Sequence, residues 1–187
     1  MKMIDSSKWK SFKVSDLFDA TNTGNILARD IEDGSGSTPY VTASGINNGV
    51  VAHIDASKYE IIKGNCILVG GKTFTLTYQK EDFVSNDSHN FELHLKDNLP
   101  EENLKDEISN EKIYLYLITI LKSTFRQRYT WGDAVTKDKI LNATISLPNT
   151  ANGKPDFAHM KNYIEELEKH IKTTIDLLAI SNGGGIR

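Results

Sequence analysis

The sequence predicts a mixed α/β (α+β) fold in which a β-rich region precedes two long helices. Through the first hundred residues, short runs of β-branched and aromatic residues alternate with glycine, asparagine and serine, which is typical of strands joined by turns. In the remaining chain, apolar residues recur at steps of three and four in two separate segments, which is typical of helices.

The β-rich region opens with a short strand around Phe12 and Val14, followed by one helical turn that ends near Phe18. The polar, turn-forming residues 21–38 predict a long exposed loop. Five further strands are predicted, at residues 39–43, 49–54, 66–69, 73–78 and 91–95.

The middle of the chain changes from acidic to apolar and helical. Residues 97–111 carry six acidic side chains and one lysine, and we expect a solvated connection there. The apolar pattern of residues 111–128 predicts a helix, with Asn110 as its candidate N-cap. A shorter helix or turn at 137–142 and a strand at 145–148, stopped by Pro148, follow.

The final helix carries a heptad seam. The Asn- and Gly-containing residues 149–155 form a linker, and Asp156 is a candidate cap. A seam of ~22 residues extends ~33 Å, which is too long to be buried wholly on one small domain, so it needs a partner helix. The seam residues are Phe157, Met160, Ile164, Leu167, Ile171, Thr174 and Leu178. We expect a folded unit over 1–150, this helix over 155–180, and a flexible tail over 181–187.

Composition limits the function classes. The 22 basic and 25 acidic side chains give a net charge of −3, which argues against a general nucleic-acid coat protein. The single cysteine, Cys66, excludes an intramolecular disulfide framework and an all-cysteine zinc site. No apolar run resembles a signal peptide or a membrane span, so we expect a cytoplasmic, soluble protein without membrane contact.

Motifs for several enzyme classes are missing. Residues 70–73 (GGKT) end like a phosphate-binding loop, but Cys66 stands where its first glycine belongs and a strand follows. No Asp/Glu-x-Lys triplet of a metal-dependent nuclease occurs, nor an Asn-Pro-Pro-Tyr-like tetrad for methyl transfer to a base. An enzyme in its own right is therefore the least favoured class.

Candidate ligands and nucleophiles are scattered. His89 and His94 lie five residues apart with Asp87 nearby, but surface or core histidines are the favoured interpretation over a metal site. We expect no metal and no cofactor. Nothing in the sequence places a base beside the candidate nucleophiles Ser44, Ser88 and Cys66.

Several segments resemble a known family in their order and spacing. They are residues 9–12 (WKSF), 17–18 (LF), 39–44 (PYVTAS), 47–50 (NNGV), 64–67 (GNCI), 70–73 (GGKT), 82–87 (DFVSND), 128–132 (RYTWG), 145–148 (ISLP), 152–157 (NGKPDF) and 163–164 (YI). Together they resemble the target recognition domain of the DNA specificity subunit of type I restriction-modification systems, including related single-domain versions attached to other restriction-methylation enzymes.

The resemblance implies a fold and a function. It implies mixed, mainly antiparallel twisted sheets with packed helices, followed by a long coiled-coil helix that pairs with the helix of a second recognition unit. By this resemblance, residues 1–150 are expected to form a target recognition domain, and residues 155–180 are expected to form a spacer and dimerisation helix. A half-subunit of this kind is expected to form a homodimer that reads a symmetric, bipartite target. It is non-catalytic and directs a methyltransferase (modification) subunit and a restriction subunit to double-stranded DNA.

Candidate DNA contacts fall in one basic stretch and in the polar loops. Residues 122–139 hold five basic and two acidic side chains, interleaved with aromatic residues. Basic side chains bind phosphates, whereas paired donors and acceptors read base edges. The candidates are Arg126, Arg128, Tyr129, Trp131 and Lys137 in the basic stretch, and Arg29, Ser44, Asn47, Asn48, Lys72, Thr73 and Gln79 in the loops. The alternative interpretation of this basic stretch is an ordinary solvated helix end, at which arginines interact favourably with the helix dipole.

Acidic side chains beside these loops leave a question open. Either they accept hydrogen bonds from cytosine amino groups or they face away from DNA. The residues concerned are Glu32, Asp33, Asp82, Asp87 and Asp133. The alternative function is a protein-interaction module that joins a partner through the final helix and does not bind DNA.

Overall fold

The structure is a computed structural model that describes residues 6–99, 104–126 and 134–183. The strands in this part of the chain are β1 (Lys10–Lys13), β2 (Phe18–Asn22), β3 (Thr38–Val41), β4 (Val50–Ile54), β5 (Cys66–Val69), β6 (Leu76–Gln79), β7 (Val84–Ser85), β8 (Phe91–Leu95) and β9 (Thr144–Leu147). The helices are α1 (Val14–Leu17), α2 (Glu107–Phe125), α3 (Lys137–Leu141) and α4 (Phe157–Gly183).

The strands form three sheets. The central sheet has the order β2-β8-β5-β6 and is antiparallel throughout. A smaller sheet has the order β4-β3-β7, in which β3 and β7 are parallel, and β1 pairs with β9 in an antiparallel ribbon. The predicted mixed α/β fold with mainly antiparallel sheets and a long C-terminal helix is confirmed.

The main core lies between one face of the central sheet and α2. Because side chains alternate along a strand, Ile67 and Leu93, which pair across β5 and β8, point to the same face. Both are fully buried and belong to one cluster with Leu117 and Leu121 of α2. Each large apolar side chain buried in this way contributes ~1.5–3 kcal/mol.

The second face of the central sheet is covered only in part. Cys66 and Leu68 of β5 are buried against Val41 of the smaller sheet and against Phe83. The positions across from them on β8, Glu92 and His94, are half-buried and polar. This side of the sheet therefore combines an apolar half with an open polar half.

The first turns of α4 belong to the core of the domain. The Asp156 carboxylate accepts a hydrogen bond from the His159 amide at 2.9 Å, so the predicted cap is confirmed. Phe157 and Met160 are 2% and 0% exposed. Further along, the Lys112 ammonium of α2 lies 2.5 Å from the Glu168 carboxylate.

The second half of α4 projects from the domain. Tyr116 of α2 contacts Tyr163, and Lys112 contacts Glu168, so the two helices run antiparallel. Since α2 begins at Glu107, α4 passes its end near residue 173, and the last ten residues extend ~15 Å further. Ile171, Ile175, Leu177 and Leu178 are each more than half exposed. No described helix is long and apolar enough to cross a membrane.

Several element boundaries differ from the prediction: strands β2 and β7 were not predicted, and strand β3 ends at Val41, two residues before its predicted end. Helix α2 begins at Glu107 and ends at Phe125, because Asp106, and not Asn110, is its cap and accepts from the Ser109 amide at 3.0 Å. Strand β6 begins at Leu76, because the preceding residues form a hairpin turn. Helix α4 continues through Gly183, where a tail was expected from 181, because extending a formed helix costs little.

Candidate nucleic-acid interface

A groove of about 680 Å³ lies between β6, the edge strand of the central sheet, and α2. Leu115 and Ile118 of α2 and the strand β6 line it. At one end it reaches Lys122 and Arg126, at the C-terminal end of α2. Glu111, near the start of α2, also lines it. We call this feature the β6–α2 groove.

The hairpin loop of residues 70–75, between β5 and β6, forms one wall of the groove. The Gly70 amide donates to the Thr75 carbonyl at 2.9 Å, and the Phe74 amide donates to the Gly70 carbonyl at 2.8 Å. Phe74 has a φ of 51°, in the left-handed region that a bulky residue rarely adopts. Its ring packs edge-on against Phe125 at 6.2 Å. The hairpin therefore holds an aromatic ring in the groove wall at the expense of backbone strain.

Two glycines let this hairpin approach its neighbours. A Cβ at Gly71 would lie 2.2 Å from the His89 carbonyl oxygen, and one at Gly70 would lie 2.5 Å from Thr75 Oγ1. The Val135 amide also donates to the Gly71 carbonyl at 2.8 Å. Residues 70–73 thus connect two antiparallel strands through a closely packed turn, which differs from the strand-to-helix turn of a phosphate-binding loop.

The loop of residues 42–49 forms the opposite rim. Asn47 and Asn48 both have positive φ, at 49° and 52°, which asparagine tolerates better than most residues. Asn48 Nδ2 donates to the Tyr78 carbonyl at 2.5 Å. Gln79 Nε2 donates to the Asn48 carbonyl and to Thr77 Oγ1, both at 2.9 Å. Since Gln79 is 4% exposed, it positions Asn48 and does not itself reach the rim.

Hydroxyl groups join the two loops. Thr73 Oγ1 and Thr75 Oγ1 both donate to the Ala43 carbonyl, at 3.2 and 3.0 Å. Ser44 Oγ accepts from the Ile46 amide at 3.1 Å. Hydrogen bonds therefore fix the hairpin against the 42–49 loop at the mouth of the groove.

A charged network supports the far side of the hairpin. Lys72 Nζ lies 2.8 Å from Asp87 Oδ2, and His89 Nδ1 lies 2.7 Å from Asp87 Oδ1. Burial alone would raise the pKa of Asp87, but the hydrogen bonds from Lys72 and His89 outweigh it and lower the pKa to about 2. Asp87 is therefore ionised at neutral pH and balances the charge of Lys72.

The opposite end of β5 opens into a cleft of about 480 Å³ with an acidic wall. We call it the acidic cleft. Its carboxylates are Asp19, Glu60, Glu92 and Asp97. Lys63, also in its wall, forms an ion pair with Asp82 at 2.7 Å. The two ends of the central sheet thus differ in charge, with exposed basic side chains at the hairpin end and carboxylates at the other.

The structure brings half of the predicted contact residues together. Around the β6–α2 groove and its two loops lie Ser44, Asn47, Asn48, Thr73, Gln79 and Arg126, with Lys72 on the far side of the hairpin. Lys137 lines a separate, smaller pocket with Gly71 and His89. Arg29 lies apart, beside Asp30 in a pocket under the smaller sheet. Arg128, Tyr129 and Trp131 lie outside the described residues, as does Asp133.

Sequence reasoning missed part of the groove wall. Phe74, Thr75 and Thr77 line the groove, but the alternating pattern of 73–78 predicted an ordinary strand. Lys122 also lines it, and the basic stretch was the available signal for that residue. The positive φ of Phe74 has no signal in the local sequence.

The candidate nucleophile Cys66 is inaccessible. It is 0% exposed, and burial together with the nearby carboxylates of Glu92 and Asp82 raises the pKa of its thiol. A buried, protonated thiol is a poor nucleophile.

The sheets, the loop-built groove and the projecting helix define a mixed α/β domain with a separate helical extension. The profile of the type I restriction modification DNA specificity domain matches residues 6–177 of this sequence. The chain therefore belongs to the family of type I restriction modification DNA specificity domains, which confirms the resemblance drawn from the sequence segments.

One curated relative is the specificity subunit S.BcgI of a type II restriction enzyme from Heyndrickxia coagulans. It is 20% identical over 171 residues, which make up 91% of this chain and 47% of that protein. The chain thus spans about half the length of the curated relative that it matches.

Solved structures of low sequence identity share the fold. A structure from work on complex assembly and conformational transition of the type I R-M system has a TM-score of 0.62 at 11% identity, covering 94% of this chain and 42% of its own. The HsdS subunit from Thermoanaerobacter tengcongensis has a TM-score of 0.59 at 10% identity, and the match covers 88% of this chain and 38% of that subunit. The S subunit from M. genitalium has a TM-score of 0.55 at 9% identity, and the match covers 95% of this chain and 44% of that subunit.

Proposed function

We propose that this chain is a non-catalytic target recognition unit that binds double-stranded DNA at the hairpin end of its central sheet. The observation that carries the proposal is the convergence of two polar loops with the basic end of α2 around the β6–α2 groove. Family membership supports it, since the matching profile describes a DNA specificity domain.

The charge distribution indicates which end faces DNA. Lys122 and Arg126 are exposed at the hairpin end, whereas carboxylates gather in the acidic cleft. A polyanion is attracted to the first surface and repelled by the second. The net charge of −3 therefore averages over two surfaces of opposite sign and does not argue against DNA binding.

Binding divides between phosphate contacts and base contacts. Lys122 and Arg126 neutralise phosphates and set the orientation of the domain. Asn47, Asn48 and Thr73, on loops that are fixed by hydrogen bonds to the domain, present amide and hydroxyl groups to base edges in the major groove. Fixed loops lose little conformational entropy on binding, which favours specific contacts.

The projecting part of α4 sets the distance between two recognition units. Of the seam residues, Phe157 and Met160 are in the domain core, so a partner helix would contact the seam from Leu167 onward, through Ile171, Thr174 and Leu178. We propose that a second copy of this chain supplies the partner helix. The homodimer then presents two half-sites to a methyltransferase subunit and a restriction subunit, which act as separate chains.

The salt dependence of DNA binding tests the interface. Lys122→Ala and Arg126→Ala should each lower the slope of log affinity against log salt concentration by about 0.9 for each phosphate that the variant no longer neutralises, and should do so for every DNA sequence. The matched control is Lys63→Ala in the acidic cleft, which should leave the slope unchanged. An equal decrease in the control, or an unchanged slope in both groove variants, would contradict this placement.

A second candidate function rests on the exposed apolar side chains of α4. A module that only joins a partner through Ile171, Ile175 and Leu178 needs no DNA contact. Gel shifts with random duplexes, in the presence and absence of the methyltransferase, separate the two functions. Enrichment of a sequence supports the recognition unit, and retention without enrichment supports the interaction module.

A further inference from the structure

Three side chains of different ligand chemistry meet beside the acidic cleft, away from the proposed DNA interface: Glu92 and His94 line the cleft, and Cys66 is buried next to them. Cys66 of β5 and Glu92 and His94 of β8 offer a sulfur, a carboxylate oxygen and an imidazole nitrogen that all lie within 4.8 Å of one another. The antiparallel register accounts for this, because Leu68 pairs with Glu92 and side chains two residues apart share a face. The cluster is thus built into two neighbouring strands of the central sheet.

The Glu92 carboxylate is only partly satisfied. Its Oε2 atom is buried and has no hydrogen-bond partner among the described residues, and it lies 3.6 Å from His94 Nε2. Two nitrogen or oxygen ligands of a tetrahedral zinc ion lie about 3.4 Å apart, given bonds of about 2.0–2.1 Å. These two atoms already have nearly that separation, and a bound cation would satisfy the buried oxygen.

The surroundings of the cluster favour a cation. Asp19, Glu60 and Asp97 also line the cleft, and Asp19 pairs directly with His94 across β2 and β8. The Lys96 ammonium lies 4.0 Å from Asp19, and the Lys63 ammonium is held by Asp82 at 2.7 Å, so these two lysines offset only part of the carboxylate charge. Charges of this sign raise the local concentration of divalent cations.

We propose that Cys66, Glu92 and His94 bind one zinc ion, reached from the acidic cleft past Glu92 and His94. The buried Cys66 thiol would release its proton to solvent as the metal binds, since a coordinating thiol is deprotonated, and water would take the fourth position. A thiolate with an imidazole selects a borderline-soft ion such as Zn²⁺ over the hard ions Mg²⁺ and Ca²⁺, which prefer oxygen ligands. Because the three ligand atoms lie within 4.8 Å of one another, small side-chain movements would bring the sulfur to a Zn–S bond of about 2.3 Å. The ion would join β5 to β8, so it serves the fold, and the proposal stands independently of DNA binding.

Calorimetric titration of the full, reduced, chelator-treated chain with zinc sulfate tests the site. We expect one Zn²⁺ per chain and no comparable binding of Mg²⁺ or Ca²⁺. Glu92→Gln and His94→Ala should each weaken zinc binding by about tenfold or more, since loss of an outer-shell partner alone costs about 10–100-fold. The control is His53→Ala, which removes an exposed histidine on β4 outside the cleft and should bind zinc with the same affinity and stoichiometry as the wild type.

Cobalt substitution identifies the thiolate. Because Cys66 is the single cysteine of the sequence, a thiolate-to-cobalt charge-transfer band can come only from it. The band should appear in the wild type and be absent in Cys66→Ala, with circular dichroism to check the fold. If that variant fails to fold, the wild-type band and its weakening in Glu92→Gln decide the matter. Absence of stoichiometric zinc binding, zinc binding that persists in both β8 variants, or cobalt bound without the band would overturn the proposal.

Discussion

At the scale of single residues, the backbone of Phe74 couples local strain to the shape of the groove. Its positive φ of 51° costs a bulky residue ~1–2 kcal/mol, and glycine would avoid that cost. The strain is offset in part by the contact of its ring with Phe125, at 6.2 Å between centroids. The same contact keeps the ring in the groove wall, so the stability of the domain and the shape of the groove both depend on Phe74.

This arrangement predicts an unusual order of stabilities. Phe74→Ala and Phe74→Gly both remove the ring, but only glycine relieves the strain, so the glycine variant should be more stable by ~1 kcal/mol in urea unfolding. The control is Phe12 in strand β1, where the order should reverse, because glycine in a strand interior is ~0.5–1 kcal/mol less stable than alanine. If Phe74→Ala has a free energy of unfolding equal to or higher than that of Phe74→Gly, the backbone at residue 74 is not strained.

At the scale of elements, the sequence predicted what local patterns determine. Strands Cys66–Val69 and Phe91–Leu95 have the predicted bounds, because their apolar runs are bracketed by turn residues. The start of α2 was missed, because the Asp106 cap lies within an acidic stretch that resembles a solvated connection. The contacts of Thr73 with Ala43 and of Gly71 with His89 depend on how distant segments meet, which no local pattern encodes.

Helix α4 combines two surfaces along one heptad pattern, and its second half gives a testable prediction. Ile171→Glu with Ile175→Glu places charges on the projecting apolar surface, so the proposed dimer should dissociate to a monomer in sedimentation velocity while the domain stays folded. The control is Lys172→Glu, which changes charge at an exposed position adjacent to the seam and should remain dimeric. A double variant that sediments as a dimer would assign the interface to another surface.

At the scale of the whole molecule, the two ends of the central sheet differ in charge. The hairpin end carries loops fixed by hydrogen bonds, together with Lys122 and Arg126, and the opposite end carries the acidic cleft. Helix α4 leaves the domain as a rigid extension that is anchored by Phe157 and Met160 in the core. In the proposed homodimer, a rigid connection of this kind would fix the position of one recognition surface relative to the other, which a flexible linker would not do.

That rigidity predicts the symmetry of the DNA target. If two copies pair through antiparallel α4 helices, a twofold axis relates their recognition surfaces, and the same contacts are repeated on the two half-sites. Selection of bound duplexes by the complex with the methyltransferase should therefore yield an inverted repeat of one short sequence with a spacer of fixed length. The monomeric Ile171→Glu, Ile175→Glu variant should lose the fixed spacing while it keeps the preference for the half-site. Two unrelated half-sites, or a repeat whose spacer length varies freely, would show that the second recognition surface is not a copy of the first held by a rigid helix pair.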